Sequence, residues 1–174
     1  MIYFFIFAAA AIRVLSHLDL IPNLPNFAPI AAMALFGGTY LNKKYALIVP
    51  LLAMFLADLF IGFYTPAVMV SVYGSFFVIG SIGLWLKNNK SLANITGATL
   101  AGSILFFLVT NFAVWAATPL YTKTLSGLAN CYLMAIPFFR NTLLGDFFYV
   151  GVMFGAYELV FFLVQKKRLA AKSA

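Results

Sequence analysis

From residue 92 to residue 117 the chain reads LANITGATLAGSILFFLVTNFAVWAA, without one ionisable side chain, and this run limits the possible fold more than any other feature. About 20 apolar residues in succession are enough to cross the hydrocarbon core of a bilayer as a helix. The remainder agrees with a membrane setting. Of 174 residues, 64% are hydrophobic and 9% charged, with a mean hydropathy of +1.02, whereas a soluble domain carries about 25% charged residues to cover its surface. The expected class is an all-α integral membrane protein.

Helix breakers divide the chain into six spans, about 2–18, 28–41, 45–63, 66–86, 92–117 and 142–164, in one transmembrane domain over 1–174. The second span is short and follows a turn that contains Pro22, Pro25 and Pro29. Each proline fixes its own φ and pushes the preceding residue out of the α region, so the helix starts near Pro29. Ala31, Ala32, Ala34, Gly37 and Gly38 then offer little bulk, which lets a neighbouring helix approach closely. Gly97 with Ala101, and Gly151 with Gly155, have the same helix-packing spacing. Residues 126–139 are apolar, broken by Pro137 and bounded by Lys123 and Arg140, and are expected as an extra interfacial or re-entrant helix. The N-terminus is apolar from Ile2 with no basic segment before it, and reads as a retained helix.

A net charge of +7 would suggest nucleic acid in a soluble protein, but here the basic residues cluster between apolar runs. Such clusters set topology and touch anionic lipid headgroups, and no nucleic-acid partner is expected. Alternating the spans places Lys43, Lys44, Lys87, Lys90, Lys166, Lys167, Arg168 and Lys172 on one face, against Arg13, Lys123 and Arg140 on the other. The richer face is the cytoplasmic one, with both termini inside. The proline turn and residues 118–141 then lie outside.

Ionisable groups within spans mark function or a buried pair. At about 1.5 Å per helical residue, Arg13 lies roughly 8 Å from the outer end of its helix, Asp58 roughly 8 Å, Asn111 roughly 9 Å and Asp146 roughly 6 Å. Four segments that run in both directions thus deliver polar groups to one outer layer. His17, Asp19, Lys123 and Arg140 lie just above it. Below it the spans stay apolar until Glu158, about 18 Å deeper than Asp146. The expectation is a cavity open to the outside and sealed below, with Arg13, His17, Asn26, Asp58, Asn111, Arg140 and Asp146 as substrate-binding residues. An alternative reading of Arg13 with Asp58 or Asp146 is a neutralised pair that fixes helix register. Asn23 and Asn26 are turn formers as readily as ligand contacts, and Glu158 reads as a snorkelling residue. The single cysteine, Cys131, excludes an internal disulfide and a cysteine-based metal cluster. No serine elbow, Walker loop or paired-histidine motif is present, and neither an enzyme activity nor a cofactor is expected.

Three stretches together carry a family resemblance: PNFAPIAAMALFGG at 25–38, Ala57 with Asp58, and NTLLGDFFY at 141–149. The chain resembles a small bacterial family of integral-membrane transport proteins, itself similar to the substrate-binding S components of energy-coupling factor (ECF) transporters. The resemblance implies a multi-pass protein of the bacterial inner membrane, with a six-helix fold, cytoplasmic termini and a pocket in the outer half, capped by the loop after the first helix. It also implies two kinds of partner, a transmembrane coupling subunit and cytoplasmic ATPase subunits. Small residues on the first helices form the docking face in such transporters, which assigns Ala28, Ala32, Gly37 and Gly38 to it here. The leading functional expectation is a membrane-embedded binding subunit for a small, vitamin-like polar or heterocyclic nutrient. The alternative is a non-transporting subunit that anchors a larger membrane complex.

Overall fold

The computed structural model describes residues 1–20 and 26–172. Six helices follow one another: α1 (Ile2–His17), α2 (Ile30–Tyr40), α3 (Ile48–Ile61), α4 (Pro66–Leu86), α5 (Leu92–Ala117) and α6 (Leu125–Lys172). No strand occurs among the described residues. Three helices, α4, α5 and the Leu125–Leu169 part of α6, are long and apolar enough to cross a membrane, which is the helix set of an integral membrane protein. Residues 21–25 of the proline turn, with Asn23, lie outside the described residues.

Local chemistry explains the helix ends. Ser91 accepts a hydrogen bond from the Asn94 backbone N–H at 3.1 Å and caps α5, while Pro66 opens α4, where its missing N–H costs nothing. The end of α1 is closed by bonds from Leu20 N to Leu15 O and from Asp19 N to Ser16 O, with Asp19 at φ 54°. This is a Schellman closure in which an aspartate takes the left-handed position usual for glycine. Lys123 Nζ donates to the Thr118 carbonyl at 2.5 Å and to that of Trp115, covering the exposed acceptors at the end of α5.

The short helix α2 forms the centre and touches all five others. Ala32 to Thr39 are buried, so lipid does not set its length; the bilayer constrains only elements that face it. Against α4 the approach is backbone to backbone. A Cβ on Gly38 would stand 2.2 Å from the Gly80 carbonyl oxygen and 2.8 Å from Gly83 Cα, and Thr39 Oγ1 donates to Gly83 O at 3.2 Å. On the opposite side Phe36 packs edge-on against Phe5, Phe154 and Tyr157, at centroid distances of 5.6, 5.5 and 5.6 Å.

The interfacial or re-entrant helix expected over 126–139 is not a separate element. The helix α6 passes through Pro137 and runs for 48 residues, roughly 72 Å at about 1.5 Å each, more than twice the thickness of a hydrocarbon core. Proline removes one backbone bond, a loss that neighbouring helices make tolerable in membrane helices. Here Tyr132 and Phe139 pack on Phe107 of α5, and Tyr132 Oη donates to Leu108 O at 2.8 Å. These contacts hold the segment in line with the rest of α6.

Candidate functional site

The ends of the helices bring together at one end of the bundle residues far apart in sequence. A cavity of about 320 Å³ opens there. Arg13, Ser16 and His17 enter it from α1, Asn26 and Ala28 from the segment before α2, Tyr64 from beyond α3, and Thr142 with Asp146 from α6. Asn26 adopts φ 62°, a left-handed conformation that asparagine tolerates. Phe27, Phe76 and Phe106 form apolar walls, the last two stacked at 5.1 Å.

Two carboxylates serve this cavity in different ways. Asp58 is 0% exposed; its Oδ1 pairs with Arg13 Nη1 at 2.6 Å, and its Oδ2 accepts from Tyr73 Oη at 2.7 Å. The two ion-paired atoms have no other partner. The Arg13 side chain, 17% exposed, reaches the cavity while its charge is neutralised from behind. Asp146 is 2% exposed and has no such neighbour. Its Oδ2 lies 2.6 Å from Ser103 Oγ, and no cationic nitrogen of the described residues is within 4.0 Å.

Arg13, His17, Asn26 and Asp146 therefore line one space, with Asp58 directly behind Arg13 and not lining it. Asn111 and Arg140 do not join them. Asn111 Nδ2 donates to Phe107 O at 2.8 Å, and its own carbonyl accepts from Cys131 Sγ at 3.4 Å on the α5–α6 contact. Its depth matches the layer, but at 3.6 residues per turn it stands about 140° around α5 from cavity-lining Phe106. Arg140 is exposed and absent from the cavity wall. Ser16, Tyr64 and Thr142 are lining residues that depth alone misses. Helical spacing contains two of them: Ser16 is three residues from Arg13, and Thr142 four from Asp146, each on the same helix face.

Three of the four residues expected to form a docking face are buried within the chain, and the fourth lines the cavity. Ala32 is fully buried, and Gly37 and Gly38 are buried with it. A Cβ on Gly37 would stand 2.4 Å from Pro50 Cγ, Gly38 faces α4, and Ala28 lines the cavity. The smallness of Gly37 and Gly38 serves the contacts of α2 with α3 and α4, so in this conformation they and the buried Ala32 offer no surface to a partner.

The apolar region expected below Asp146 is also more structured. At the opposite end of the bundle a second cavity of about 490 Å³ lies between Tyr40, Lys90, Thr99, Val150 and Glu158. Glu158 pairs with Lys90 and accepts from Tyr40 Oη at 2.5 Å, so it is tied into the bundle and does not simply snorkel. Asp146 and Ala31 of the first cavity and Thr99 and Val150 of the second border one seam, which has no room for a water molecule.

Fold and cavities together define a helical membrane protein with a polar chamber at one end and a largely apolar one at the other. The chain belongs to a family of unknown function, DUF6580, whose profile covers residues 1–171. No curated protein and no solved structure matches the chain.

Proposed function

We propose that the protein is a substrate-binding membrane subunit that takes a small nutrient into the Arg13–Asp146 cavity, in the manner of an ECF transporter S component. One observation carries the reading: four separate segments converge polar groups on a space of about 320 Å³, within the range of small-ligand sites. The positive-inside count supports an outward-facing cavity in the bacterial inner membrane, with the Lys87–Lys90 end in the cytoplasm. Native mass spectrometry of protein purified in mild detergent tests this. A bound small molecule, lost on filling the cavity by Ala31→Trp, is expected; an empty protein from cells grown in rich medium counts against it. The partners in this reading are a coupling subunit and ATPase subunits, and an ATPase should co-purify.

A second reading, a non-transporting anchor for a membrane complex, draws on a different face. Gly97, Gly151 and Gly155 have nothing within 4 Å of where a Cβ would stand, leaving an uncovered small-residue surface on α5 and α6. A ligand-free preparation containing a stoichiometric partner that is not an ATPase would favour it.

A further inference from the structure

Inside this cavity the charges do not balance. Arg13 is neutralised by Asp58 at 2.6 Å, which leaves Asp146 as the carboxylate without a cation, 2% exposed and on the cavity wall. Its hydroxyl neighbour is a weak substitute. Ser103 has one proton and two acceptors in reach, Asp146 Oδ2 at 2.6 Å and Thr99 O at 3.0 Å. Among the described residues the other ionisable lining groups are His17 and Tyr64, and neither forms an ion pair with Asp146. A buried carboxylate stays an anion only with a counter-charge beside it and otherwise takes up a proton, so the site favours a ligand that brings the missing positive charge.

We propose that Asp146 is the specificity-determining residue of the cavity, and that the ligand is a small organic monocation whose protonated amine seats on Asp146. Its apolar or aromatic body lies against Phe106, one helical turn from Ser103 and so beside Asp146, and against the stacked Phe76. Aromatic faces attract cations as well as apolar groups. A divalent metal is a poor fit, because it requires several oxygen ligands and no cluster of three His, Cys, Asp or Glu side chains occurs among the described residues. Arg13, the residue most readily assigned to an anionic substrate, has its charge already matched.

This inference rests on the substrate-cavity reading, and the test separates the two. Wild-type protein in nanodiscs is titrated calorimetrically with 2-phenylethylammonium, neutral 2-phenylethanol and anionic 3-phenylpropanoate. The cation should bind at least tenfold more tightly than either analogue, and Asp146→Asn should bring cation and neutral probe within about twofold. Thr142→Lys places an ammonium four residues before Asp146 on the same helix face. It should abolish cation binding while raising the melting temperature without ligand, whereas Thr142→Gln keeps the preference for the cation. If Asp146→Asn does not fold, the Thr142 pair decides. A neutral or anionic probe that binds best, or a cation preference that survives Asp146→Asn or Thr142→Lys, overturns the cation assignment and leaves the cavity as a site. No binding by any of the three overturns both.

Discussion

Asp58 on α3 and Asp146 on α6 show how one residue type takes opposite duties around one cavity. Asp58 is fully enclosed and holds Arg13 and Tyr73 at once; it shapes the cavity by fixing Arg13. Removing one member of such a pair strands the other charge, at a cost of about 3–5 kcal/mol, whereas replacing both by apolar residues is far milder. Asp58→Asn and Arg13→Met should each lower stability by that order, and the double variant Arg13→Met/Asp58→Leu should recover most of it. Reversible denaturation in detergent gives the three values. Single variants as stable as wild type would remove the structural role. Asp146→Asn, which has no cation to strand, should fall well short of that loss. The outer polar layer was legible from residue spacing along each helix. The division of labour was not, because it depends on which carboxylate meets Arg13 across the bundle.

Among elements, α2 and α6 carry the most information. Helix α2 is short because the other five enclose it, and its glycines are spent on internal contact. Gly38→Ala should therefore reduce folded protein sharply, since its Cβ would meet the Gly80 carbonyl at 2.2 Å and backbone has no rotamer by which to give way; overpacking of this kind costs about 1–3 kcal/mol or more. Gly151→Ala with Gly155→Ala, where an added Cβ meets nothing within 4 Å, should leave the melting temperature unchanged or slightly raised, as the lost flexibility of glycine is worth about 0.5–1 kcal/mol each. Fluorescence-detected gel filtration after heating reads both, and equal sensitivity of the two sites would contradict the central placement of α2. The boundaries of α4 and α5 follow directly from Pro66, Ser91 and the apolar runs between them. The continuity of α6 does not: Pro137 beside Arg140 reads locally as a break, and it is the contact of Tyr132 and Phe139 with α5 that overrides it.

For the molecule as a whole, charged side chains collect toward the two ends of the bundle, and the proposed orientation rests on the count of Lys and Arg. Arg13, His17 and Asp58 gather at one end, and Tyr40, Lys90 and Glu158 at the other. In a Cys131→Ala background, Leu120→Cys, at an exposed position, should react in intact cells with a membrane-impermeant maleimide. Asn88→Cys should react only after the cells are opened, and the reverse pattern would invert the topology. Amino-acid order by itself indicated the membrane class and the positions of the first five apolar helices, because hydropathy and helix breakers act locally. It also narrowed the site to a handful of polar residues. Only the tertiary structure decided which of them meet, since the angle at which each helix faces its neighbours is set by packing between helices. That packing turned Asn111 and Arg140 away, buried the small residues of α2, opened the second cavity and left Asp146 without a counter-charge.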